Sequence, residues 1–232
     1  MRTEIYCNES IIVLRDSKPV SAPDNEAQLA YSGKKELQQL VFDFCKTGKP
    51  GVLCIWSDDK YNQLVKAFLN LHETIEASGG VVFNEHGEIL FIHRNGKWDL
   101  PKGKVNGKDK RKADKDEAGK KNKAPTDEKI DRSSRIARIA ALREVREETG
   151  LKKISIISEL PFTYHIYFSG ERRIIKHTRW FKMEGSTSDS LKPQVSEGII
   201  IARWIPTNSL ACIFQHTYES LKPLIKSVLA NT

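Results

Sequence analysis

The stretch LREVREETGL, residues 142–151, places Arg143, Glu144, Glu147 and Glu148 at spacings that could do chemistry. Glu144 and Glu148 are four residues apart, so on a helix they share one face, one turn apart. Exposed like charges placed this way repel by roughly a few tenths of a kcal/mol. A cation between them reverses that sign. Mg²⁺ suits such a pair, because it is a hard ion that keeps several waters and takes further ligands from phosphate oxygens. Arg143 and Glu147 form a second i,i+4 pair beside the first, in which a guanidinium fork can fix the direction of a carboxylate. The same string also reads as a salt-bridged surface helix, and these residues alone leave both readings open.

Positioning elements are legible on either side. SSRIARIAALREVREETG reads as a helix, with Ser133 or Ser134 as N-cap and Gly150 as the residue that stops it. Upstream, EASGGVVFNEHGEILFIHRNGKWDLPKGKV gives two strands across an Asn-Glu-His-Gly turn, then a Trp-containing strand ending at Pro101. Downstream, two long strands flank a turn at Ser169-Gly170-Glu171, GIIIARWI forms another strand, and HTYESLKPLIKSVL closes the chain as a helix. Residues 1–75 read as a small α/β unit. IYCNESIIVL forms a strand pair, KKELQQLVFDFCK a helix with Leu37, Leu40, Val41 and Phe44 on one face, GVLCIW a buried strand and YNQLVKAFLNLHETI a further helix. Nothing in this unit converges on chemistry, so its expected role is structural, by packing on the second unit or by forming a homodimer.

With WDLPKGKV ahead of the helix, the whole resembles the Nudix box, G-x5-E-x7-R-E-U-x-E-E-x-G-U with U apolar. The second half is complete in Arg143, Glu144, Val145, Glu147, Glu148, Gly150 and Leu151, and Gly103 stands as the first glycine. The resemblance covers residues 76–232. It implies an α+β fold, a Nudix-like α/β/α sandwich, with the α/β unit of residues 1–75 attached. It also implies Mg²⁺-dependent hydrolysis of a phosphoanhydride bond, with Mn²⁺ as a substitute ion. The substrate class is a nucleoside diphosphate-linked compound such as ADP-ribose, a dinucleoside polyphosphate or a nucleoside triphosphate. On that resemblance Glu144, Glu147, Glu148 and the Gly103 carbonyl hold the metal, Arg143 orients Glu147, and Lys102 and Lys104 contact phosphate oxygens. Glu197, in QVSEGIIIARW, is the candidate general base.

One departure bears on activity. Counting back from Arg143 puts the first box Glu at Arg135, whereas counting forward from Gly103 puts it at Asp109, because about 26 residues are inserted between the two halves. Asp109 or Asp131 could replace that Glu, or nothing does. The alternative function is therefore a catalytically weakened, nucleotide-binding or regulatory module on the same fold.

Bulk properties agree with a small-molecule enzyme. The 232 residues are 39% hydrophobic and 29% charged, an ordinary globular balance. No apolar run is long enough to span a membrane, and MRTEIYCNES lacks the pattern of a secretory signal. Cys7, Cys45, Cys54 and Cys212 are scattered without metal-site spacing, which reads as reduced thiols in a cytoplasmic protein. The net charge of +8 includes +3 from residues 106–132, ten Lys/Arg against seven Asp/Glu. That segment reads as a flexible charged surface loop. No aromatic-and-basic signature accompanies the charge, so neither nucleic acid nor membrane is the expected partner.

Overall fold

The computed structural model describes residues 1–19, 26–47, 50–119 and 131–230. Two compact units divide them: Met1–Ile75 with Thr163–His177, and Glu76–Phe162 with Thr178–Thr232.

In the first unit, β1 (Arg2–Cys7) and β2 (Ser10–Arg15) form an antiparallel hairpin whose turn holds Asn8 at φ 56°, a left-handed conformation that Asn tolerates. β3 (Glu26–Ala30) and β2 both pair parallel with β4 (Val52–Trp56). Helix α1 (Lys34–Lys46) buries Leu37, Val41 and Cys45, and α2 (Tyr61–Leu69) buries Leu64 and Phe68. These side chains close a core with Ile5, Ile12, Leu14, Leu53 and Ile55 from the sheet. The division expected at residue 75 omits a second contribution to this core. Ile166 and Ile175, from the far end of a later hairpin, complete it.

The second unit is built on β5 (Glu73–Phe83), β6 (Ile89–Arg94), the short strands β7 (Lys97–Asp99) and β8 (Lys102–Lys104), helices α3 (Gly107–Gly119) and α4 (Arg132–Thr149), the long hairpin strands β9 (Ile154–Ser169) and β10 (Arg172–Gly185), β11 (Ile199–Ile205), α5 (Leu210–Gln215) and α6 (Leu221–Ala230). Strand alternation sends successive side chains to opposite faces. Val81, Phe83, Ile89 and Phe91 pack with Leu210, Ile213, Leu224 and Ile225 of α5 and α6, while Val82, Leu90, Phe181 and Met183 pack with Ala137, Ala141 and Val145 of α4. A sheet covered by helices on both faces is an α/β/α sandwich, the α+β class expected. In the first unit, Ile5–Cys7 of β1 pair parallel with Tyr164–Ile166 of β9.

Two expectations change. The segment 106–132 is not all loop. Its first part is α3, in which Asp109 and Ala113, four residues apart, are buried. Asp114 of α3 receives a two-pronged bond from Arg132 at the start of α4, at 2.8 and 3.1 Å. Residues 120–130 lie outside the described residues. The N-cap of α4 is Asp131 rather than a serine, and its side chain accepts from the Ser134 amide at 2.7 Å. Gly150 ends the helix at φ 76°, as its position implies.

Candidate metal and phosphate site

The buried face of α4 runs Ala137, Ala140, Ala141, Glu144, Val145, Glu148. Glu144 and Glu148 therefore do not lie on the solvent side, as a surface ion-pair helix requires; they are 5% and 0% exposed. The space they enter is made by glycine. Ser78-Gly79-Gly80 of β5 lets the chain at Pro101–Gly103 approach so closely that a Cβ at Gly79 would overlap the Pro101 carbonyl. β8 then pairs with β5 in the register Ser78↔Gly103 and Gly79↔Lys102. The Ser78 hydroxyl donates to the Ala137 carbonyl at 2.8 Å, tying β5 to α4. As a result two consecutive residues touch the two carboxylates. The Lys102 amide donates to Glu148 at 2.7 Å, and a Cβ on Gly103 would collide with the Glu144 carboxylate.

Arg143 is the hub on the other side. Its Nε and Nη2 grip both oxygens of Asp109 at 2.8 Å, Nη2 also donates to the Lys104 carbonyl at 3.0 Å, and Nη1 meets Glu144 at 2.7 Å and Glu147 at 2.8 Å. Burial alone would push the Asp109 carboxyl up. The bonds from Arg143 and the Asn106 amide outweigh that and hold it below the usual range. Asp109 is thus the acid that stands six residues after Gly103, and the insertion follows it. Asp131 is spent on the helix cap.

A second cationic group lies behind Glu148. Arg94 reaches Glu148 through Nη1 and Asp99 through Nη2, each at 3.4 Å, and Lys102 Nζ binds Asp99 at 2.6 Å. These cations do not fully offset burial. Desolvation pushes Glu148 up to about 7, against the opposing pull of Lys102 and Arg94, and raises Glu144 against that of Arg143. Carboxylates held at such a cost are a mark of functional sites.

The structure therefore brings together Gly103, Arg143, Glu144 and Glu148 of the expected residues. Glu147 is 48% exposed and joins through Arg143 alone among the contacts described. Glu197 is exposed on a single 3-10 turn, Val195–Glu197, and its charge acts on both Arg94 and Glu144. The Lys104 side chain is exposed, as a phosphate ligand requires, but the Lys102 ammonium is engaged by Asp99. Arg94 and Asp99 were missed by sequence reasoning. Their only signal is their place on the antiparallel strands β6 and β7, where Asp99 stands opposite Ile92 and so is diagonal to Arg94 on one face.

Residues 121–226 match the model of the NUDIX domain. The chain carries a Nudix domain. The matched stretch begins after Gly103 and Asp109, so the first half of the box lies ahead of it, separated by the insertion. A comparison with curated proteins gave no match. Among solved structures, the chain is similar to a C. elegans Ap4A hydrolase, with 17% identity over 68% of this chain and 99% of that one, at TM-score 0.42. It is also similar to a Nudix hydrolase from Nitrosomonas europaea, with 14% identity over 68% and 90% and TM-score 0.43. A third is the Nudix domain of Shewanella oneidensis NrtR complexed with ADP ribose, with 16% identity over 69% and 90% and TM-score 0.42.

Among the described residues no three His, Cys, Asp or Glu side chains gather as a ready metal cluster, and no helix is long and apolar enough to cross a membrane. The donor set still fits a hard divalent ion. It offers two buried carboxylates short of positive charge beside a backbone cradle that a Cβ would fill, leaving further positions for water and phosphate oxygen.

Proposed function

We propose that this Nudix domain hydrolyses a phosphoanhydride bond in a nucleoside diphosphate-linked substrate with Mg²⁺ as cofactor. The observation that carries the reading is the pair Glu144 and Glu148, buried one turn apart against the Lys102–Gly103 backbone. Bound there, Mg²⁺ would neutralise diphosphate charge and make a water more acidic. Glu144 and Glu148 would hold it together with the Gly103 carbonyl, and Glu147, next to Glu148 on the helix, would be a further ligand. Arg143 fixes the Glu147 carboxylate and shares its remaining donors with Asp109, so the turn is braced before substrate arrives. Lys104 meets phosphate oxygens from the exposed side. Glu197 is our candidate to take the proton of the attacking water, a choice supported by its electrostatic reach to Glu144. The pairing of Asp109 with Arg143 supports the hydrolase reading over a weakened binding module, since it sets an acid six residues after Gly103 beside the second half of the box. The four cysteines, unbridged by any disulfide, support a reducing, cytoplasmic setting.

A panel of ADP-ribose, dinucleoside polyphosphates and nucleoside triphosphates, assayed with Mg²⁺, Mn²⁺ or EDTA, tests this. Hydrolysis of at least one compound that stops in EDTA and in Glu148→Gln is expected. Binding of such compounds without turnover under any metal condition contradicts it.

A further inference from the structure

The first part of the insertion is helix α3, which carries five cations on its described surface. Between Gly107 and Asp116, α3 carries Lys108, Lys110, Arg111, Lys112 and Lys115, all exposed, against Asp109, Asp114 and Asp116. Two of those acids are withdrawn from the surface balance. Asp109 is buried on Arg143, and Asp114 is bound by Arg132. Of the four acids in the helix sequence, Asp116 and Glu117 remain to set against the five cations. Lys108 and Lys112, and Arg111 and Lys115, stand at i,i+4, where like charges destabilise a helix. The helix persists because Asp109, Ala113 and Asp114 fasten it to α4, so the fold holds a repelling row of cations in place.

The row begins at the candidate site. Asp109, in the first turn of α3, shares the Arg143 guanidinium with Glu144 and Glu147, and Lys112 acts electrostatically on that same Asp109. One side chain therefore separates the start of α3 from the carboxylates assigned to the metal. From Lys108 to Lys115 the helix advances about 10 Å, more than the diphosphate being cut needs.

We propose that α3 is a cationic rail for the distal phosphates of a substrate whose phosphate chain is longer than a triphosphate, with Lys108, Lys112 and Lys115 as the residues that set this preference. The inference rests on the hydrolase reading for the position of the near phosphates, but its test does not require turnover. An extended chain of phosphates offers many charges in one line, and each one met by a lysine releases counterions, so affinity rises with chain length and falls with salt.

The test is calorimetric titration of the full chain with inorganic pyrophosphate, tripolyphosphate, longer linear polyphosphate and a single-stranded RNA oligonucleotide of matched charge, at three salt concentrations. Dinucleoside polyphosphates of increasing length form a further arm that separates a nucleotide-capped chain from a free one. The comparison is with the triple variant Lys108→Ala, Lys112→Ala, Lys115→Ala, whose substitutions favour helix and leave the buried anchors intact. Wild type should bind more tightly as the chain lengthens. The variant should lose that gain, by roughly tenfold or more for the longest chain, with a shallower salt slope and unchanged affinity for pyrophosphate. A variant that keeps the full chain-length gain overturns the proposal, as does RNA binding more tightly than polyphosphate of equal charge. Long chains bound through the three lysines while pyrophosphate fails to bind would uphold the rail and remove the site reading instead.

Discussion

Replacing Glu148 with Gln should stabilise the metal-free protein at alkaline pH. Glu148 is fully buried, and desolvation lifts its carboxyl from the usual 4.5 to about 7 despite Lys102 and Arg94. A group raised in the fold contributes stability that is fully present below its unfolded pKa and lost as pH rises through the folded one. The charged form at pH 8 therefore costs the native state up to about 3 kcal/mol. Gln keeps an acceptor for the Lys102 amide, and Arg94 keeps Asp99, so the loss of the long Arg94 contact returns only part of the gain. The net effect should be about 1–3 kcal/mol in favour of Glu148→Gln at pH 8. It should shrink as pH falls toward 4.5 and vanish below that, where the carboxyl is protonated in both states. Urea unfolding in EDTA, followed by tryptophan fluorescence at pH 5 and pH 8, reads it directly. Mg²⁺ should reverse the order by stabilising wild type and not the variant. A Glu148→Gln protein less stable than wild type at pH 8, or a difference independent of pH, refutes the reasoning that this carboxylate is kept for function at the expense of stability.

Asp109→Ala should cost about 2–4 kcal/mol in urea unfolding, because it leaves a half-buried Arg143 without its two-pronged partner, and it should depress turnover by freeing Glu147; a neutral result would mean α3 is not fastened there. Gly103→Ala should leave the circular dichroism spectrum unchanged yet cut metal-dependent turnover about tenfold or more, since its Cβ displaces the Glu144 carboxylate; full activity would place the metal elsewhere.

Much of this site is written in local spacing. The i,i+4 carboxylates, the Gly150 stop and the glycine at 103 are read directly from the chain, because helix periodicity and left-handed caps are short-range properties. Which face of α4 turns inward is not local. Glu144 and Glu148 share their stripe with Ala137 and Ala141, and only packing against Val82, Leu90 and Phe181 decides that the stripe is buried. The Arg94–Asp99–Lys102 group depends on two paired strands meeting Glu148 from another element, a long-range convergence without sequence signature. α3 was read as loop because its composition is charged and poor in apolar residues. Its order comes from Asp109 and Asp114 finding Arg143 and Arg132 on α4, a tertiary effect that overrides weak propensity. Likewise, Ile166 and Ile175 of the hairpin join the first unit's core although they lie far along the chain from its last helix, which ends at Leu69, and no local pattern announces that return.

The central claim is that Glu144 and Glu148 form the cation site, and Mn²⁺ binding followed by electron paramagnetic resonance tests it most directly. Wild type should sequester Mn²⁺ in competition with Mg²⁺, and Glu144→Gln and Glu148→Gln should each abolish that binding while both remain folded. Undiminished Mn²⁺ affinity in the two folded variants would contradict the account.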